Sequence, residues 1–192
     1  MPSIAYFYFL QSNEKVTIEQ HETFPKQTNR NRTTILTDKE VFLLSIPVNK
    51  PNGNHSKTSE ITICYKQNWI QKHWRAIESA YNNSPFFLYY KDELLQILNK
   101  RHSLLIDLNK ELLNFFIRKL KIQTTIEYSE RFHKEVLSVD EMLKQTGTSL
   151  NFPVYHQVFS ERYTFVPNMS ILDLLFNKGP ESLAYLKTVK EN

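Results

Sequence analysis

Apolar positions recur along this chain with three rhythms, and each rhythm predicts a different element. The uninterrupted run Ile4 to Leu10 predicts a buried strand. Residues 14 to 21 alternate, with Val16 and Ile18 on one side and Thr17, Glu19 and His21 on the other, which predicts a strand with one polar face. Thr33 to Leu36 and Val41 to Val48 predict a hairpin-like pair turned by Thr37 to Glu40, followed by a solvated loop over 49 to 59 and a short strand over Glu60 to Tyr65. The rhythm then becomes helical: Ile70, His73, Trp74, Ile77 and Tyr81 share one face up to the stop at Pro85. A long helix from an Asp92 cap to Leu120 is expected next, its stripe running through Leu94, Leu98, Leu105, Leu108, Leu112 and Phe116. Ile122 to Tyr128 reads as a strand, so strand, helix and strand suggest a crossover connection. Ser138 to Glu141 has the form of a capping box opening a helix that Gly147 closes. Val154 to Phe159 alternates again, and Ser170 caps a helix that Gly179 and Pro180 stop before a last one from Glu181. With no repeat and no linker, the expectation is an α/β fold, a mixed β-sheet flanked by helices in a single domain over residues 1–192.

Composition narrows the chemistry. A chain of 192 residues with 41% hydrophobic and 23% charged residues is ordinary for a globular protein. Its three glycines, Gly53, Gly147 and Gly179, are too scattered for a Walker loop or a dinucleotide fingerprint, in which clustered glycines let backbone approach phosphate. The lone Cys64 excludes an intramolecular disulfide and a four-thiolate zinc site and fits a reducing compartment, so a cytoplasmic location is expected. No apolar run approaches the roughly 20 residues of a membrane-spanning helix, so no membrane insertion is expected. The net charge of +4 is modest, and residues 61 to 120 hold most of the excess, with nine bases against five acids. That density is low for a protein whose affinity comes from neutralising phosphates, so no nucleic-acid partner is expected.

Four groups of residues could carry chemistry. Glu19 and His21, two apart on a polar strand face, would set a carboxylate beside an imidazole, as a general base requires; an exposed strand face gives the same spacing. Asn29, Arg30, Asn31 and Arg32 bring two guanidinium groups and two amides into four residues, suited to gripping a phosphate or carboxylate or equally to a solvated turn. His73 falls on the apolar stripe of its helix, where a histidine is more often a satisfied core residue than a ligand, and Arg75 is turned away from it. Asp173 sits among large apolar groups, where it would either act as an acid of raised pKa or cap its helix, and Tyr155 and Gln157 share a face opposite His156. There is no His-Glu-x-x-His spacing and no Gly-x-Ser-x-Gly elbow.

Taken in order, the segments Ile18 to Glu22, Lys26 to Arg32, Leu44 to Val48, His73 to Arg75, Ser79 to Tyr81, Ser84 to Phe87 and Pro167 to Pro180 resemble the WbqC-like family over nearly the whole chain. The resemblance implies a bacterial cytoplasmic protein tied to surface-polysaccharide or O-antigen biosynthesis, with group transfer onto an activated amino sugar as the suspected reaction. Motif positions carried over are Glu19, Gln20, His21, Asn29, Arg30, Arg32, His73, Trp74, Arg75, Tyr81, Tyr155, Gln157, Pro167, Asn168, Ser170, Asp173 and Asn177. Against longer members the first loop and helix look shortened, and a glycine-rich segment before the terminal Tyr-x-Gln element is missing. The expectation is a transferase with His21 or His73 as base and Glu19 as its orienting partner. Asn29, Arg30, Arg32, Arg75, Tyr81, Tyr155, Gln157, Asn168 and Asp173 would contact the substrate, a small molecule such as a nucleotide sugar. Cofactor and oligomeric state are left unassigned, no metal is expected, and the competing reading is a non-catalytic ligand-binding or scaffold protein of an assembly complex.

Overall fold

A computed structural model describes residues 1–25, 28–134 and 149–192. The expected helix from Ser138 to Gly147 lies outside the described residues, as do Lys26 and Gln27. The fold is α/β, with small sheets of mixed orientation and helices packed around one continuous apolar core.

Ile4–Gln11 is helix α1, where the sequence suggested a strand. A short apolar run does not reveal its period, and the tertiary setting decides: Ile4, Ala5, Phe7 and Leu10 are buried at helical spacing and Ser3 accepts from the Tyr6 N–H. β1 (Lys15–Ile18) pairs in parallel with β6 (Thr125–Tyr128), the arrangement expected of a crossover. β2 (Arg32–Leu36) and β3 (Val41–Ser45) form the expected antiparallel hairpin, and β4 (Val48–Asn49) pairs with β5 (Thr62–Ile63). The loop between β4 and β5 contains two short 3-10 turns.

α2 (Trp69–Tyr81) occupies the expected span and buries Trp69, His73, Ile77, Ala80 and Tyr81. The expected long helix is two, α3 (Phe87–Asn99) and α4 (Leu105–Leu120), so Asp92 is interior to α3 and caps nothing. The stripe itself shows why: from Leu98 to Leu105 a full heptad passes with no buried residue, and Arg101 takes a left-handed φ of 55° that breaks the hydrogen-bond ladder. Leu104 then bridges to Thr62, and the Leu105 N–H donates to Ile61 O at 2.9 Å, which ties the break to β5. α4 ends on Lys121, also left-handed, with the Ile122 N–H returning to Ile117 O.

Val154 to Phe159 joins no ladder, contrary to the alternating pattern; burial still alternates through Tyr155, His156 and Gln157 because side-chain hydrogen bonds hold the segment. β7 (Leu150–Asn151) pairs with β8 (Lys190–Glu191), and α5 (Ile171–Lys178) and α6 (Ser182–Leu186) close the chain. α5 is buried almost all round, from Ile171 to Asn177, and forms the centre of the core.

Candidate functional site

The parallel pair β1 and β6 ends at Ile18 and Tyr128, and the ionisable motif residues follow immediately. The carboxyl ends of parallel strands are where α/β folds collect ligands, because side chains there leave the ladder and face open space. Here Ser129 is the hub. Its N–H donates to Ile18 O at 3.0 Å, its hydroxyl donates to Glu19 Oε1 at 2.9 Å and accepts from the Gln20 N–H, and its carbonyl accepts from Gln20 Nε2 at 2.8 Å and His21 Nε2 at 2.9 Å.

Glu19 and His21 are therefore neighbours, though not on a polar strand face: β1 stops at Ile18, and Glu19 turns inward to 6% exposure. Its carboxylate accepts from the backbone N–H groups of His21 at 2.6 Å and His133 at 2.9 Å as well as from Ser129. Burial alone would raise its pKa; those three donors, with the Gln20 backbone N–H, outweigh it and hold the carboxyl below the usual range. Glu19 thus anchors main chain, and the His21 imidazole donates to a carbonyl instead. A carbonyl accepts only, so Nε2 carries the hydrogen and Nδ1 is the ring atom able to take a proton.

Arg30 precedes β2 instead of sharing a strand face with Arg32, which opens that strand opposite Ser45. Arg30 is paired with Glu22, donates from Nη1 to Thr28 Oγ1 at 2.9 Å, and receives on its carbonyl the Asn109 amide of α4. It also lowers the pKa of the Tyr6 hydroxyl, which burial pushes up to about 12 with help from Tyr128. Lys110, the next residue on α4, stands 4.3 Å over the Tyr128 ring and 3.5 Å from Gln20 Oε1. These pairwise contacts link side chains from α1, the ends of β1 and β6, the approach to β2 and the first half of α4. Sequence reasoning missed Tyr6, Glu22, Lys110, Tyr128, Ser129 and His133. Ser129, directly after an expected strand, carried a signal; Lys110 looked like any exposed helix lysine.

The remaining motif residues lie elsewhere. His73 donates from Nε2 to Ser45 O at 3.1 Å, packs edge-on to Trp69, and burial lowers its pKa to about 4. Arg75 is exposed and lines an open recess with Glu78, Ser79, Asn82 and Asn83 that contains none of Glu19, His21 or Arg30. Asp173 is 1% exposed; it does not cap α5, and Tyr155 and Gln157 donate to its Oδ2, Gln157 at 2.9 Å. Burial raises the Asp173 pKa while these donors oppose the rise. The Tyr81 hydroxyl also faces Asp173 without meeting hydrogen-bond geometry. Asn168 takes a left-handed φ of 54° and accepts from the Ala5 N–H at 2.8 Å, so it holds the start of α1. Among the described residues no three His, Cys, Asp or Glu side chains are grouped to hold a metal ion, and no helix is long and apolar enough to cross a membrane.

An uncharacterized protein of Mycobacterium tuberculosis, Rv1507c, is 28% identical over 221 residues, covering 100% of this chain and 95% of the relative. The alignment is longer than the chain, so part of the relative has no counterpart here. No solved structure matches. A family model matches residues 1–150 and 137–185, and on that coverage the chain belongs to the WbqC-like protein family.

Proposed function

We propose that the protein is a group-transfer enzyme of bacterial surface-polysaccharide assembly, acting on an activated amino sugar or a related anionic substrate, with 1–192 as one domain. The observation that carries this reading is the convergence of His21, Arg30 and Lys110 at the carboxyl ends of β1 and β6. Arg30 and Lys110 supply positive charge for a phosphate or carboxylate, and Nδ1 of His21 is the proton acceptor for an attacking hydroxyl or amine. Glu19 is a positioning residue through the His21 backbone, and His73 and Asp173 belong to the core.

The test is turnover of nucleotide-activated amino sugars by the purified protein. Product is expected, with His21→Gln lowering kcat by about 10²-fold or more and Arg30→Ala acting mainly on KM. Saturable binding without product across the panel would instead favour the ligand-binding or scaffold reading, which the engagement of Glu19 with main chain, away from the imidazole, supports.

A further inference from the structure

A second concavity lies between the loop after α2 and the segment following Tyr155, sharing Asn83 with the Arg75 recess and containing none of Glu19, His21 or Arg30. It encloses about 310 Å³, at the lower end of the roughly 300–1,000 Å³ typical of small-molecule sites. Asn83, His156 and Arg162 line it with polar groups, Pro85 and Phe159 give it an apolar wall, and Asn177 of α5 is its buried floor. Asn177 is 8% exposed; its Nδ2 donates to Asp173 O at 2.8 Å, and its Oδ1 is buried with no partner among the described residues. Asn177 Oδ1 is one of four buried side-chain polar atoms without a partner among the described residues, with Trp69 Nε1, Tyr81 Oη and Ser170 Oγ, and it is the one whose residue lines this cavity. An unpaired buried acceptor is costly, and a donor from a ligand seated above it would remove that cost.

The charge at the rim selects the kind of ligand. Arg162 is answered by Glu161 in the same wall and by Asp38, whose carbonyl accepts from Nη1 at 3.4 Å and whose carboxylate lies 3.9 Å away. The site therefore offers no net positive field for an anion. It offers amide, imidazole and guanidinium groups that donate or accept beside a flat apolar wall. A ring with hydroxyls on its edge and C–H groups on its face matches both.

We infer that this cavity is a binding site for a single uncharged sugar ring, with a ligand O–H or N–H donating to Asn177 Oδ1 and the ring face against Phe159. The inference stands on the cavity alone. It is tested with methyl glycosides, which carry no activated leaving group, so binding is read whether or not the protein turns over any donor.

The experiment is saturation-transfer NMR on the whole chain with the methyl glycosides of glucose and N-acetylglucosamine, alongside inorganic phosphate and a nucleoside diphosphate. Saturable binding of at least one glycoside is expected, undisplaced by either phosphate compound. Asn177→Leu and Phe159→Ala should each weaken it about tenfold, the worth of one well-placed contact. The partly exposed Phe159 site keeps the test available if the core variant fails to fold. No saturable glycoside binding up to tens of millimolar overturns the inference, as does binding that phosphate displaces or that Phe159→Ala leaves unchanged.

Discussion

Tyr155→Phe isolates the contribution of one buried hydroxyl. The ring stays packed edge-on against Phe165 at 5.1 Å and Tyr185 at 4.9 Å between centroids, so the substitution opens no large cavity and deletes only the donor to Asp173 Oδ2. A hydrogen bond to a charged acceptor contributes about 1.5–3 kcal/mol, and in a chain of this size each kcal/mol moves Tm by about 2–4 °C. At neutral pH the expected cost is about 2 kcal/mol, or about 4–8 °C. Burial holds the folded pKa of Asp173 above its ordinary 3.8, so the stability this group contributes is fullest below that value and is lost as pH rises through the folded pKa. Removing a donor that favours the carboxylate raises the folded pKa further, so the cost of Tyr155→Phe must grow with pH. Where the carboxyl is protonated in both states it should shrink to about 1 kcal/mol, that of a neutral hydrogen bond. Urea unfolding by circular dichroism across acidic and neutral pH measures both limbs. Tyr185→Phe is the control, since its hydroxyl donates at 2.7 Å to the neutral Pro153 carbonyl and its cost should stay near 1 kcal/mol at every pH. A Tyr155→Phe cost below about 0.5 kcal/mol, or one that falls as pH rises, would refute an Asp173 carboxyl held by the Tyr155 hydroxyl.

Three further outcomes are expected. His73 has a folded pKa of about 4 against an ordinary 6.5, so its neutral form contributes stability that is present above 6.5 and lost as pH falls toward 4; His73→Gln, which keeps a donor to Ser45, should flatten that limb by up to about 3 kcal/mol in pH-resolved unfolding. Gly179→Ala should cost about 3 kcal/mol or more by the same measurement, because Gly179 has a φ of 51° and an added Cβ would sit 2.5 Å from the Phe86 ring. Asn168→Ala should cost about 1–2 kcal/mol, losing both the bond from the Ala5 N–H and a side chain tolerated at φ 54°, with helix loss read as a drop in far-ultraviolet circular dichroism.

Elements whose period is unambiguous were legible in the sequence. α2 repeats its apolar residues at helical spacing, and the β2–β3 hairpin has strand-rich flanks around a polar turn, so both stand as expected. Ile4 to Leu10 was illegible because an unbroken apolar run fits either period, and the choice is made by Asn168 and Ser3, which hold the α1 N–H groups. The break between α3 and α4 hid in a stripe whose spacing stays in phase across the gap; only the run from Asn99 to Ser103, with no apolar residue, marked it. The candidate site was half legible for a related reason. Local spacing brings out Glu19, His21 and Arg30, which belong to continuous segments. Ser129 and Lys110 reach them only through the β1–β6 pairing and α4, contacts between residues about 80 to 110 positions apart that no local pattern encodes.

The geometry also reassigns what each acid does. Were Glu19 the orienting partner of the imidazole, its carboxylate would keep an oxygen for the ring; both oxygens instead hold backbone N–H groups of His21 and His133 and leave the ring to Ser129 O. Glu22, absent from the sequence-based set, occupies the Arg30 guanidinium. An anion approaching Arg30 must then exchange with a carboxylate already in place, which disfavours weakly charged ligands and favours those with enough charge to engage Lys110 as well. Backbone amides are no substitute at the two described glycines: Gly53 lies in a 3-10 turn of the loop between β4 and β5, and Gly179 is pressed against Phe86. On the proposed function, phosphate recognition would fall to side chains at the ends of β1 and β6, and replacing Glu22 with Gln should strengthen anion binding there by freeing Arg30; weaker binding in direct titration with inorganic phosphate would mean that Glu22 holds Arg30 in its binding position instead of competing for it.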